Sequence, residues 1–365
     1  MTEKPVRYAL IGSGMGAETH AVEIPHVEGA ELAAIYARNP DKAEAFRARY
    51  NAAKAYSDRD ALLADPEIDA VVIVTPNGLH GDFAIAAAKA KKHVIVEKPL
   101  EITSARARAI VEACQQEGVM LFLIYQMRYT EAAQTLKAAI EAGELGRVIL
   151  VNVLDNEYRA PEYYARDAWR GTQDFEGGGC LMTQTTHLLD LAQYLAGPVE
   201  AAFAHVRTAL HDIETEDLAV ATLKFENGAL GIVSSSTAAF PAQRHILTVY
   251  GTKGAMSING EYDQIVFHGD IAKGVTIDTP PGFKFADTAD PRTFPTLRHR
   301  TQLQEITNKI RTLKPGAENA ADYLQALYLT DAIYLSSKEG REVALAEFGR
   351  EADLARPITP PAPRA

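Results

Sequence analysis

The chain has 365 residues, 47% hydrophobic and 23% charged, which excludes a mainly disordered chain and, at roughly 150 residues per domain, suggests about two domains. A net charge of −11, from 37 basic and 48 acidic residues, disfavours phosphate backbones and anionic membranes, so neither a nucleic-acid nor a membrane partner is expected. The two cysteines, Cys114 and Cys180, lie outside any metal-like spacing; with no secretory leader and no apolar run of about 18 residues, the expectation is a cytoplasmic protein without a metal site.

The first third alternates strand and helix patterns. Strands are predicted at 6–11, 31–36, 70–74, 93–96 and 119–125, and helices at 17–27, 41–50, 81–90 and 104–117. Apolar runs alternating with helices of this length imply right-handed βαβ units and a parallel sheet covered on both faces. The pattern then changes. A helix at 130–142, a long strand at 147–157 and a helix at 180–196 precede strand runs that follow one another directly from 199 to about 267. Asn227-Gly228 between two of these runs signals a hairpin, and the stretch predicts a mostly antiparallel sheet with one open face. Residues 268–297, rich in Gly, Pro and Asp, carry no readable period, and helices are predicted at 297–313 and 320–338. The expected division is a dinucleotide-binding domain at 1–125, a substrate and oligomerisation domain at 126–356 and an extended tail at 357–365.

Gly12-Ser13-Gly14-Met15-Gly16-Ala17 follows the first strand and opens a helix. A first glycine permits the tight turn, a second lets the backbone approach a pyrophosphate, and a small third residue, here Ala17, packs helix on strand. The free N–H groups of Met15, Gly16 and Ala17 at the helix start suit phosphates. The second strand ends Ile35-Tyr36-Ala37-Arg38-Asn39 without an acid. An acid there would accept from a ribose 2′-hydroxyl, whereas Arg38 suits a 2′-phosphate, so NADP(H) is expected ahead of NAD(H). Two further strand ends stand out, Thr75-Pro76-Asn77-Gly78-Leu79-His80 and Glu97-Lys98-Pro99. Pro99 keeps Lys98 extended at the strand end, where ligands of an open α/β sheet gather. The acidic run at 212–217 reads as a solvated loop and is assigned no site.

The glycine turn with downstream His20, the Thr75–His80 run and Val94-Ile95-Val96-Glu97-Lys98-Pro99-Leu100 together resemble the Gfo/Idh/MocA oxidoreductases. Gly177-Gly178-Gly179-Cys180-Leu181, followed by His187 and Asp190, resembles that family's glycine-led helix. The resemblance implies a Rossmann domain plus a C-terminal α/β domain whose open sheet face makes a homodimer or homotetramer. It implies a small polyhydroxylated substrate, a ring alcohol and ketone interconverted on a sugar, sugar derivative or cyclitol. Lys98 and His187 are the expected catalytic pair, His187 as base and Lys98 stabilising the alkoxide. Thr75, Pro76, Asn77, His80, Glu97 and Gln126 are expected at the cofactor, and Arg128, Trp169, Arg170 and Thr183 at the substrate. The family's usual Asp four residues before the helical His is Thr183 here, which puts in doubt any role needing a carboxylate beside His187. A dihydrodiol dehydrogenase acting on a non-carbohydrate ring, a glycosidase with a temporarily reduced nucleotide and a redox-silent nucleotide-binding sensor are the alternatives.

Overall fold

The computed structural model describes residues 4–243, 245–260, 264–270, 296–315 and 320–348. The expected tail at 357–365 and nearly all of the unread 268–297 stretch lie outside them. The chain falls into two compact units.

The first unit is built on a six-stranded sheet of β1 (Val6–Ile11), β2 (Ala30–Tyr36), β3 (Lys54–Tyr56), β4 (Ala70–Ile73), β5 (His93–Val96) and β6 (Leu121–Leu123). Its order is β3-β2-β1-β4-β5-β6 and every pairing is parallel. The central strands are buried on both faces, from Leu10 and Ile11 to Val72 and Ile95, as continuous apolar runs dictate. Helices α1 (Met15–Glu23), α2 (Pro40–Tyr50), α3 (Arg59–Ala64), α4 (His80–Lys89) and α5 (Ser104–Glu117) connect them. The helix expected at 17–27 ends as α1 at Glu23 and tightens into a 3₁₀ turn, Ile24–His26, where Pro25 lacks the amide hydrogen to continue. The short β3 and α3 carry too few residues for a periodic signal and were not predicted.

The second unit is an eight-stranded sheet of β7 (Val148–Asn156), β8 (Val199–Arg207), β9 (Leu218–Phe225), β10 (Leu230–Ser236), β11 (Ile246–Gly251), β12 (Gly254–Asn259), β13 (Gln264–Asp270) and β14 (Val343–Ala344). The order is β13-β12-β11-β7-β10-β9-β8-β14, and only β7 with β10 runs parallel. Its helices are α6 (Glu131–Glu141), α7 (Pro161–Ala165), α8 (Thr186–Ala196) and, after α9 (Leu297–Thr312), α10 (Gln325–Glu339). Burial alternates along β9, and α8 and α10 pack on β7 and β8, so one face is covered. The other leaves Val220 51%, Leu230 57%, Ile232 41% and Tyr250 37% exposed. The expected fold class, a Rossmann domain and a C-terminal domain with a large, mostly antiparallel open sheet, is what the chain adopts.

Helix α9 belongs to the first unit despite its place late in the chain. Leu303 and Ile306 enter the core around Tyr8, Leu10 and Ile124, and Thr307 pairs with the Tyr8 hydroxyl at 2.8 Å. No helix among the described residues is long and apolar enough to cross a membrane.

Candidate active site

In the first unit the chain leaves β1 through Gly12, whose φ of +124° and nearness to β4, with a Cβ falling 2.6 Å from the Val74 carbonyl oxygen, admit no side chain. Gly14 is the N-cap of α1, carries no side-chain cap and faces open space. Packing of helix on strand rests on Gly16 as well as on the buried Ala17, since a Cβ on Gly16 would lie 2.7 Å from Val74 Cγ1. The result is a helix start whose amide hydrogens are open to a phosphate. Thr75 Oγ1 and Gln126 Oε1 are buried and lack a hydrogen-bond partner among the described residues. A bound polar ligand is the ordinary remedy for such atoms, so these residues fit a dinucleotide.

The strand-end turns are braced from within. The His80 ring is buried, with Nδ1 2.8 Å from the Pro99 carbonyl oxygen and Nε2 3.0 Å from that of Thr75. Burial lowers its pKa. Both ring nitrogens face backbone carbonyls, so His80 ties together the two turns at the strand ends. Glu97 at the end of β5 meets His20 Nε2 at 2.8 Å and accepts from the Lys98 N–H at 3.1 Å. Burial pushes the Glu97 carboxyl up, but the His20 hydrogen bond and the charges of His20, His299 and Lys98 outweigh it and hold it at about 2. His299, on α9, lies 3.8 Å from the same carboxylate. Asn77 is buried in the turn beneath His80.

In the second unit the glycine run is pinned by Glu216. Its carboxylate accepts from the N–H groups of Gly179 at 2.7 Å and Leu181 at 2.9 Å and from the Tyr334 hydroxyl at 3.0 Å. A Cβ on Gly179 would fall 1.6 Å from the Glu216 carbonyl oxygen, so only glycine fits. Burial pushes the Glu216 carboxyl up to about 7 against the pull of these donors. The acidic run is thus not a solvated loop throughout: Thr215, Glu216 and Asp217 are buried, and Asp217 accepts from the amides of Ala209, Leu210 and His211. A carboxylate enters this interior because backbone donors satisfy it.

The helix predicted at 180–196 begins as a π turn, Leu181–Thr185, and becomes α8 at Thr186. π turns of this kind frequently mark functional sites. Thr183 donates to Glu176 Oε1 at 3.0 Å, and Glu176 is buried. A carboxylate therefore does stand beside Thr183, supplied from the preceding loop. His187 is buried at the first turn of α8. Arg128 is gripped by Asp190 at 2.8 and 2.5 Å and stacks 4.9 Å from the Tyr194 ring centre, which fixes it against α8. The Arg170 guanidinium lies 4.3 Å from the Tyr163 ring centre and 4.6 Å from that of Trp169, with Asp167 at 3.1 Å. These form a rigid aromatic and cationic shelf. Beneath the π turn, Thr185 bonds Asp155 and Ser235, both at 2.6 Å. Asp155, Glu157 and His245 present ligand atoms within 4.8 Å of one another. Burial opposes charge on His245, yet Asp155 and Glu157 hold it protonated well above its usual range, and Arg159 pairs with Glu157. The cluster is balanced as an ion-pair network, and we assign it no metal.

Sequence reasoning missed His299, Glu176, Glu216 and His245. Glu176 immediately precedes the glycine run and Glu216 sits in the acidic run, but their roles depend on folding partners 7 and 118 residues away.

Family models agree with both units: an oxidoreductase family with an NAD-binding Rossmann fold, GFO/IDH/MocA, matches residues 6–125, and the GFO/IDH/MocA C-terminal domain matches residues 133–257. The chain belongs to the Gfo/Idh/MocA family. As a Gfo/Idh/MocA protein it is an NAD(P)-dependent oxidoreductase acting on CH–OH groups. It is similar to the myo-inositol 2-dehydrogenase of Thermotoga maritima, 29% identical over 353 residues, 94% of this chain and 99% of that protein. Among solved structures it is similar to the WlbA dehydrogenase of Bordetella pertussis in complex with NADH and UDP-GlcNAcA. There the identity is 31% and the TM-score 0.81, over 93% of this chain and 99% of the other. A levoglucosan dehydrogenase in complex with NADH follows at 25% identity and a TM-score of 0.82, covering 94% of this chain and 99% of the other. The expected preference for NADP(H) is corrected. Both of these family structures hold NADH. In this chain Arg38 is exposed, Asn39 caps α2 and Pro40 opens it. An arginine at that place serves adenine stacking as readily as a 2′-phosphate.

Proposed function

We propose that the chain is an NAD(H)-dependent dehydrogenase that interconverts a ring secondary alcohol and its ketone on a sugar, sugar derivative or cyclitol. The carrying observation is the full-length likeness to a myo-inositol 2-dehydrogenase. Bound NAD supplies the hydride acceptor. His187 takes the hydroxyl proton during oxidation and returns it during reduction. The Lys98 ammonium stabilises charge developing on the same oxygen. Thr183, which donates to Glu176, is placed with the substrate hydroxyls. The Arg170, Trp169 and Tyr163 shelf offers an apolar face with a cationic rim, suited to a hydroxylated ring. The test is absorbance of reduced nicotinamide with NAD⁺ across pyranoses, anhydrosugars, sugar acids, cyclitols and a dihydrodiol. Signal with a hydroxylated ring alone supports the reading. Signal confined to the dihydrodiol, or none despite tight NADH binding, favours the alternatives.

Two lesser outcomes belong to this reading. Arg38→Ala weakens NADH binding by about threefold or less, the size of one solvent-exposed contact. A loss of a hundredfold by fluorescence titration would contradict the exposed role given to Arg38. For assembly we propose a homo-oligomer through the open sheet face. Ile232→Glu places a charge in its apolar centre and lowers the mass found by sedimentation; an unchanged mass would place the interface elsewhere.

A further inference from the structure

We propose that Glu97, clasped by His20 and His299, is a positioning residue that fixes the Lys98 main chain and holds Lys98 in its ammonium form. The proposal rests on the reading of Lys98 as a reacting-site group. The Glu97 side chain is 15% exposed, and its two oxygens are used differently. Oε1 faces His20 Nε2 at 2.8 Å and His299 Nε2 at 3.8 Å, while Oε2 accepts from the Lys98 N–H at 3.1 Å. The two imidazoles meet edge to face, 5.6 Å between centres at 86°. Their Nδ1 atoms are buried without a hydrogen-bond partner among the described residues. A hydrogen there would be a buried unsatisfied donor, so each ring carries its hydrogen on Nε2, toward the carboxylate. Burial drives His299 down to about 4, and at 3.8 Å its Nε2 acts on the carboxylate across space rather than through a hydrogen bond.

Glu97 thus remains an anion in a largely dry setting. Other charged or titratable groups bear on the cluster from the elements around it. His80 is occupied with the Thr75 and Pro99 carbonyls, Glu23 on α1 pairs with Arg300 at 2.6 Å, and Arg298 on α9 acts on His299. Lys98, the next residue in the chain, is a cation whose charge acts on the carboxylate, and a nearby anion favours the charged form of a lysine. Helix α9 thereby contributes to the site through His299, some 200 residues after Glu97.

The experiment is a direct titration of Lys98. The protein is reductively methylated with ¹³C-formaldehyde, and the Lys98 signal is assigned through Lys98→Arg. In Glu97→Gln, which keeps the size and the acceptor but removes the charge, the Lys98 pKa falls by about one unit, a tenfold change in acid dissociation. A value within about 0.2 unit of the parent overturns the proposal. Circular dichroism and the thermal midpoint report folding of the variant. Should Glu97→Gln not fold, Glu97→Asp carries the test: it withdraws the charge by one methylene, and the Lys98 pKa falls by about half a unit, while no change again overturns the proposal. Failure of the underlying reading looks different. Lys98→Ala would then retain turnover, whatever the titration shows.

Discussion

His187→Ala lowers turnover by about a thousandfold and leaves NADH binding within about threefold of the parent. The residue lies in the second unit, at the first turn of α8, whereas the glycine turn and the orphaned Thr75 and Gln126 oxygens belong to the first. Loss of the imidazole removes the proposed proton acceptor without touching the groups assigned to the dinucleotide. Added imidazole restores part of the rate, because a small base can occupy the volume the side chain leaves. Stopped-flow absorbance with and without imidazole checks both statements. A variant that keeps more than about a tenth of the parental rate would remove His187 from proton transfer.

Lys98→Ala has the second large effect, about a hundredfold or more in kcat/KM. The contribution of a positioned cation grows as charge develops on oxygen, so kcat falls along with kcat/KM rather than KM alone rising. Lys98→Arg recovers only part of the loss, since a planar guanidinium presents its hydrogens from different points than an ammonium does. Steady-state kinetics on the three proteins separate these outcomes; a rise in KM at constant kcat would make Lys98 a simple binding group.

The first unit was legible because continuous apolar strands and a glycine turn are local signals. Val6–Ile11, the turn at Gly12 and the lysine held by Pro99 each announce themselves within a few residues. The packing place of α9 was not legible. Its apolar spacing predicts a helix but says nothing of which core Leu303 and Ile306 enter, and the patternless stretch before it hides the return of the chain to the first unit. The π turn escaped for a different reason: the residues 181–185 are compatible with either helix, and the close approach of Gly179 to Glu216 is a tertiary fact. Thr183 shows the limit of position-by-position comparison. A carboxylate does stand beside Thr183 in space, on Glu176, from a different place in sequence. Arg38 misled because a basic residue after β2 has two uses, and the NADH held by related structures, rather than residue identity, separates them.

The most direct test of the account follows the hydride itself. With a ring alcohol active in the assay, deuterated at its carbinol positions, NAD⁺ gains one deuterium per ketone formed, and the His187→Ala protein transfers none above background. Ketone formed without deuterium in the nucleotide, or equal transfer by the His187→Ala protein, would contradict it.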